Sequence, residues 1–279
     1  VCGIVGLWNA KDDGMIAEAM RRMIHRGPDA EGAFRGECGT LGHRRLSIMD
    51  PAGGDQPIVC ERTGRAIVAN GELYNFPSLV EELSPRHVFR TRSDTESALH
   101  LYDELAEQTA ARLDGMFAIA LADGPDVYLA RDPIGIKPLY YGRDADRLVF
   151  ASELKAVSGL VDKIEEFPPG VWYHSRLGFG RFYEVPDRYP EDLGAQEHCR
   201  RLRDTLERAV AKRMMSDVPV GAFLSGGLDS SIIAAMVRQH VDDLHTFSVG
   251  IEGSNDLRAA RLAAEHLGTV HHEYVITAG

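Results

Sequence analysis

A cysteine stands at position 2 of this 279-residue chain, between Val1 and Gly3. A thiol there can do chemistry closed to an internal thiol. With residue 1 removed, it would sit beside a free α-amine whose ordinary pKa is about 7.7–8.0. Such an amine is partly unprotonated near neutrality and can take the thiol proton. Val is an odd first residue, so the expectation is a processed start or a fragment boundary. Gly3 and Gly6 flank the thiol and leave room for other backbone to approach.

Further along stand groups that could serve such a nucleophile. Asn70-Gly71 follows the apolar run Ala66–Ala69. Asn-Gly is the strongest short hairpin signal, but an Asn amide and the next N–H can also both point at a developing oxyanion in acyl transfer. Arg45, within Gly42–Asp50, carries a planar fork suited to a ligand carboxylate. Asp94, in Ser93-Asp94-Thr95-Glu96, reads either as a helix cap or as a partner for a ligand ammonium. Taken singly, each of these residues has a plain structural reading.

A second constellation, Ser225-Gly226-Gly227-Leu228-Asp229-Ser230-Ser231, follows the apolar Val220–Leu224 and precedes a helical pattern. Glycines let backbone close on phosphate, and a helix N-terminus supplies positive partial charge. The stretch lacks the G-K-[ST] of a Walker loop. His271-His272-Glu273 does not read as a metal set, because neighbours on a strand point to opposite faces.

The elements that must position these residues change character along the chain. Up to about residue 185, short apolar runs alternate with turn residues, and Phe117–Leu121 and Val127–Ala130 predict a hairpin around Asp123-Gly124. Leu148–Ala151 reads as another strand. Helical spacing appears at Ile16, Ala19, Met20, Met23 and Ile24, and again at Ala98, Leu101, Tyr102 and Leu105, with Ser93 or Asp94 as N-cap. Many strands with few helices indicate an α+β layered domain. Val185–Ala195 is polar and proline-containing, as a linker is. Beyond it, a helix over Leu202–Val210 leads into alternation: a buried strand Val220–Leu224, a helix with Ile232, Ile233, Met236 and Val237, a strand His245–Val249 and a helix Asp256–Leu267. This is a parallel βαβα pattern, and with so few strands the second domain is expected to be incomplete.

The net charge of −11 argues against a nucleic-acid binder. No apolar run is long enough to span a bilayer or to form a signal peptide, so a cytoplasmic protein is expected. Cys2, Cys38, Cys60 and Cys199 are scattered, which suggests neither a disulfide framework nor a zinc site.

In order, the chain also shows Cys2-Gly3-Ile4, His25-Arg26-Gly27-Pro28-Asp29, Arg45-Leu46-Ser47-Ile48, Asn70–Asn75 and Ser93–Glu96. Asp114–Ala118, Ala130–Tyr140 and Ala151–Lys155 follow. Together these resemble the class II glutamine amidotransferases. That resemblance implies an α+β N-terminal-nucleophile fold, an αββα sandwich, over residues 1–190. It implies Cys2 as nucleophile, Asn70 and Gly71 as oxyanion hole, Arg45 as carboxylate ligand, Leu46, Ser47, Ile48 and Met49 as pocket backbone, and Glu72 and Asp94 as ammonium ligands. Arg92 departs from the family pattern, where a small residue is usual, and puts the loop shape there in question.

The Ser225–Ser231 loop resembles that of ATP pyrophosphatases, implying an incomplete α/β parallel-sheet domain over residues 191–279. Leu224 and Val249 would lie near adenine, Ser225–Ser231 would hold phosphates, and Asp229 would assist Mg²⁺. As a whole the chain is similar to glutamine-dependent asparagine synthetases, with glutamine, aspartate and ATP as substrates, no tightly bound cofactor and a homodimeric assembly implied. The family's second acidic motif, S-G-E-G-[SA]-D-E, is absent, so glutaminase chemistry without synthesis is expected of this chain. The alternatives are an amidotransferase of the same build with another carboxylate acceptor, or a truncated non-catalytic module.

Overall fold

The computed structural model describes residues 1–187 and 193–277. The chain divides into two units, Val1–Asp187 and Arg188–Gly279. Residues 188–192 of the expected linker lie outside the described residues. Among the described residues, no helix is long and apolar enough to cross a membrane.

The first unit opens with β1 (Gly3–Trp8), α1 (Asp13–Arg22), β2 (Ala30–Arg35), β3 (Gly39–Arg45), β4 (Ile58–Val59) and β5 (Ala66–Leu73). Then come α2 (Phe76–Leu83), α3 (Asp94–Leu105), β6 (Gly115–Asp123), β7 (Asp126–Arg131), β8 (Tyr140–Asp144) and β9 (Arg147–Ala151). It closes with α4 (Leu154–Val157), β10 (Ile164–Glu166), β11 (Val171–His174) and β12 (Gly178–Arg181). Two antiparallel sheets form, in the orders β10-β8-β9-β1-β3-β2 and β12-β11-β7-β6-β5-β4.

Three apolar layers hold these sheets and helices together, giving the expected αββα sandwich. Between the sheets lie Ile4, Trp8 and Leu41 from one and Val68, Ala118, Ala120 and Leu129 from the other. On the outer face of the second sheet, Phe117, Ile119 and Leu121 pack on Leu79, Leu99 and Tyr102 of α2 and α3. On the outer face of the first, Val5 and Leu7 pack on Ile16, Met20 and Met23. Because β6 is covered on both faces, its alternation is one of size rather than polarity: alanines face the sheet–sheet gap and large side chains face the helices.

The β6–β7 hairpin turns at Gly124, which adopts φ +58°, with Asp123 opposite Asp126. Two local readings need correction, and a third, the N-cap of α3, holds with a difference. The Asn70-Gly71 pair is not a turn: β5 continues through it, paired with β6 as far as Leu73 opposite Gly115. Long-range pairing overrides the local turn preference. Helix α1, capped by Asp12 accepting from Met15 N (2.9 Å), ends before Ile24, which is exposed. Ser93 occupies the N-cap of α3 without a side-chain cap bond, because the loop before it is tied down otherwise. Glu96 accepts from Arg90 N (2.9 Å) and Thr91 N (2.7 Å), and Asp50 accepts from Arg92 N (2.8 Å). These bonds fix the loop in which Arg92 departs from the family pattern.

The second unit carries a parallel sheet of β13 (Gly221–Phe223), β14 (His245–Ile251) and β15 (Val270–Ile276), in that order. Helices α5 (Ala195–Lys212), α6 (Leu228–Arg238) and α7 (Asn255–Leu267) accompany it. The strand expected at Val220–Leu224 is shorter and largely exposed; only Leu224 is buried, with Ala234, Ala260 and Ala264.

Candidate active site

Cys2 stands at the start of β1, and its neighbours hold its backbone firmly. Arg26 Nε donates to Cys2 O (2.9 Å). Turned as its neighbours require, the Asn70 amide, buried in β5, would donate to the same carbonyl (3.1 Å) and accept from Arg26 Nη2 (3.2 Å). Arg26 Nη1 is anchored in turn on Glu153 (3.1 Å), which also contacts His25 (2.9 Å). Burial alone would raise the Glu153 carboxyl, but His25, Arg26 and Lys155 outweigh it and hold the group below its usual range. The Cys2 Sγ itself lies 3.4 Å from Leu46 N and 3.6 Å from Leu46 O. Burial pushes its thiol pKa up, so the thiolate needs a base.

The flanking glycines serve side chains rather than backbone. A Cβ on Gly6 would strike the Phe150 ring, whereas one on Gly3 would make ordinary contacts with the Met23 side chain (3.4 Å to Sδ) and with Arg26 Cδ (3.6 Å). Gly27 is where backbone comes close: a Cβ there would overlap Arg44 and Arg45.

A cavity of about 270 Å³ opens beside the thiol and gathers Cys2, Arg45, Asn70, Gly71, Glu72 and Asp94 in its wall. Leu46, Ile48 and Met49 also line it. Ser47 does not, because its N–H turns to Asp29 (2.8 Å).

Strand β5 supplies the edge of this cavity. Phe117, opposite Gly71, gives its N–H to Asp132 (3.2 Å) and accepts from Asp132 N (2.8 Å). Gly71 and Phe117 are therefore not hydrogen-bonded to each other, and Gly71 N–H points away from β6. By the strand's period of two, Ala69, Gly71 and Leu73 present their N–H groups along that same edge. Ala69 N goes to Gln56 Oε1 (2.6 Å) and Leu73 N to Asp94 Oδ2 (2.6 Å). Gly71 N–H lies between them, on the edge that carries two other wall residues, Gln56 and Asp94. Position 71 must be glycine for another reason: a Cβ would overlap Met116 O and come within 2.7 Å of Phe117 Cα.

Arg45 is buried at the other end of the cavity. Its Nη2 donates to Met49 O (2.9 Å) and Asp50 O (2.7 Å), and its Nη1 to Pro51 O (3.2 Å) and the exposed Asp55 carboxylate (2.6 Å). Asp94 is buried, and desolvation raises its carboxyl from 3.8 to about 6, with Glu72 adding to the rise. Lys137 completes the wall, its pKa lowered mainly by burial. Its loop is built on Asp132, which accepts from Ile136 N and Lys137 N (both 2.9 Å), and on Arg131, which donates to Lys137 O (2.7 Å).

Four contributors lay outside the sequence argument. Arg26, Glu153 and Lys137 sat inside recognised motifs without an assigned role; Gln56 carried no signal.

In the second unit, a separate cavity of about 390 Å³ is lined by Leu224, Ser225, Ser230, Val249, Phe247 and Asp256, among others. Ser225 Oγ and Ser230 Oγ are 2.9 Å apart, and Ser231 N returns to Gly227 O (3.1 Å). Gly226 adopts φ +74° against Ala259 and Ala260, where a Cβ would overlap backbone. Gly226, Gly227, Leu228, Asp229 and Ser231 lie outside the cavity wall; Asp229 is exposed in the first turn of α6.

The sandwich and the thiol at its first strand define an N-terminal-nucleophile amidotransferase fold. Two solved structures share it: glutamine phosphoribosylpyrophosphate amidotransferase from B. subtilis (TM-score 0.58, 20% identity, covering 100% of this chain and 69% of that one) and the allosteric regulatory enzyme of purine biosynthesis (0.59, 20%, 100% and 68%). Residues 1–170 match the glutamine amidotransferase domain family, and the chain belongs to it. Residues 201–279 match the asparagine synthase family. Over 99% of its length the chain is 44% identical to glutamine-hydrolysing asparagine synthetase 2 of Arabidopsis thaliana and 43% identical to the enzyme of Asparagus officinalis. It spans about half the length of these curated relatives, 51% and 50%.

Proposed function

We propose that the first unit hydrolyses glutamine to glutamate and ammonia through Cys2. In the whole protein, the ammonia would be trapped on a side-chain carboxylate of aspartate that ATP has activated as an adenylate. What carries the glutaminase reading is the single cavity in which a thiol, an open strand N–H, a buried guanidinium and a buried carboxylate meet.

The Arg45–Asp55 pair marks where a carboxylate fits, and glutamine's α-carboxylate would take the place of Asp55 at Nη1. Asp94 and Glu72 would hold the α-ammonium. Cys2 Sγ then attacks the side-chain carbonyl carbon, and the α-amine of Cys2, freed by loss of Val1, takes the thiol proton. Val1 itself stands in the cavity wall. The oxyanion would be met by Gly71 N–H and the Asn70 amide, both fixed before substrate arrives. Collapse breaks the C–N bond, the proton returns to the departing nitrogen, and ammonia leaves a γ-glutamyl thioester. Water, deprotonated by the same amine, hydrolyses the thioester and restores the thiol.

The asparagine synthase match supports aspartate as acceptor over a peptide or a modified amino acid. Leu224, Val249 and the Ser225–Ser231 loop would receive ATP. Asp229, one exposed carboxylate, suits a Mg²⁺ held mainly by nucleotide phosphates. A reducing, cytoplasmic setting suits a free catalytic thiol, and a homodimer is the assembly the resemblance implies.

The test is glutamate release from glutamine by the chain and by Cys2→Ala, with intact mass measured to see whether Val1 is retained. Loss of the nucleophile should lower the rate on the order of 10³-fold or more. Comparable turnover by Cys2→Ala, or full activity with Val1 in place, would overturn the mechanism.

A further inference from the structure

The face of α3 that starts with Glu96 leads away from the glutamine cavity. Glu96, His100 and Asp103 follow one another at i, i+4 and i+7, and so share one side of the helix. They border a second cavity of about 430 Å³, lined by Cys60, Arg62, His87, Arg90, Glu96 and His100 among others, which shares no wall residue with the first. Cys60 arrives from the end of β4 and His87 from the loop after α2.

Cys60, His100 and Asp103 each bring one ligand atom into a group whose members all lie within 4.8 Å of one another. His87 and His100 are more than nine-tenths buried. Nδ1 of His87 and both ring nitrogens of His100 have no hydrogen-bond partner. A buried polar atom left unpaired costs about 1–3 kcal/mol and calls for a water or an ion.

Which occupant fits follows from where the lone pairs point. Glu104 sits 2.7 Å from His87 Nε2 and, as a carboxylate, accepts its proton, which leaves Nδ1 as the ring atom facing the group. Glu96 stands 3.4 Å from His100 Nε2 and favours the same tautomer there. Both Nδ1 atoms face one oxygen, Asp103 Oδ2, at 3.7 and 3.9 Å, and the Cys60 thiol donates to it (3.9 Å). With the Cys60 thiol proton lost and Arg62 moved aside, these atoms would converge as ligands on one cation. A tetrahedral ion with ligand bonds of about 2.0–2.3 Å would set its ligands about 3.3–3.7 Å apart; the spacings to Asp103 Oδ2 exceed that by a few tenths of an ångström, the others in the group reach up to 4.8 Å, and His87, outside that group, would have to draw in.

We propose that Cys60, His100 and Asp103, with His87 as fourth donor, bind a divalent ion of the Zn²⁺ class. One thiolate, two imidazoles and one carboxylate select a borderline-soft ion over Mg²⁺ or Ca²⁺. Glu104 and Glu96 orient the imidazoles from behind, and Arg65 Nη1 holds the other Asp103 oxygen (2.5 Å). Arg62 reaches Oδ2 (3.0 Å) from solvent with its side chain 64% exposed, and it must swing out when the ion enters. The ion would pin the end of β4 and the loop after α2 onto α3, a structural rather than a catalytic role.

The test is a Co²⁺ titration of the full chain after chelator treatment. One equivalent should give the visible absorption of tetrahedral Co²⁺ with a near-ultraviolet thiolate charge-transfer band, bleached by Zn²⁺. Cys60→Ser should remove the charge-transfer band. Glu104→Gln, outside the ligand set, should weaken Co²⁺ binding about 10- to 100-fold, and Arg62→Ala should tighten it. If Cys60→Ser fails to fold, these two surface variants decide. No absorption at stoichiometric Co²⁺ would overturn the proposal. So would a charge-transfer band that survives in Cys60→Ser, or affinity indifferent to both surface changes.

Discussion

Replacing Asp94 with Asn should make the first unit more stable and a poorer glutaminase at once. Holding this buried carboxyl at about 6 instead of 3.8 costs the folded state about 3 kcal/mol at neutral pH. The sign follows from proton binding. Below about pH 4 both folded and unfolded chains hold the proton and the cost vanishes. Between about 4 and 6 the folded state alone holds it, so stability falls as pH rises; above about 6 the full cost stands. Asn keeps an oxygen for Leu73 N, which now donates to Asp94 Oδ2, and carries no charge. Asp94→Asn should therefore gain about 1–3 kcal/mol at pH 8 and little at pH 4. Urea unfolding followed by tryptophan fluorescence reads this unit alone, because both tryptophans, Trp8 and Trp172, lie in it. The same change leaves a substrate ammonium without its counter-charge and should raise KM for glutamine by about 10²-fold or more. In the unaltered enzyme, kcat/KM should fall as pH drops through about 6. A stability difference between variant and parent that does not change from pH 4 to pH 8 would refute the account of the carboxylate. An unchanged KM would refute its role.

Three further substitutions probe the frame around the thiol. Arg26→Met keeps bulk but drops the bonds to Cys2 O and Glu153; kcat should fall about 10²-fold with KM little changed, as expected for a misplaced nucleophile. Gly71→Ala forces a Cβ into β6 backbone and should cost about 1–3 kcal/mol or more in urea unfolding, whereas Gly3→Ala should cost under about 1 kcal/mol. Asp132→Ala strips acceptors from Phe117, Ile136 and Lys137 N–H groups in a fully buried site. It should destabilise by more than about 4 kcal/mol, measured the same way.

Cys2, Arg45, Asn70 and Asp94 were legible because each lies in a short local motif whose chemistry can be named without knowing the fold. Apolar runs such as Phe117–Leu121 made an α+β layered domain legible, whereas the two-sheet frame came only from the resemblance. What holds the nucleophile was not. Arg26, Asn70 and Glu153 come from three distant segments and meet only through sheet pairing. The donors of Arg45 were also hidden: the fork looks free for a ligand in sequence, yet the loop from Met49 to Asp55 wraps it. Asn70-Gly71 could equally be read as a turn, because the pull of β6, some 45 residues on, does not show in a dipeptide.

The shortness of β4 explains why a site exists at this edge. It pairs with β5 only at Ile58–Ile67 and Val59–Ala66, so from Ala69 onward the β5 edge has no neighbouring strand. Buried N–H groups do not stay unpaired in a stable fold. Gln56 bends back to take Ala69 and Asp94 takes Leu73, each with a side chain in place of a strand. Among the described residues no side chain accepts from Gly71 N–H, and none could be supplied by position 71 itself, since Met116 O and Phe117 Cα occupy the space of its Cβ. In the proposed reaction an oxygen of substrate would complete the row. The two residues that complete the rest of it, Gln56 and Asp94, are already in the cavity wall, so the proposed substrate binding and oxyanion stabilisation would fall on one strand edge.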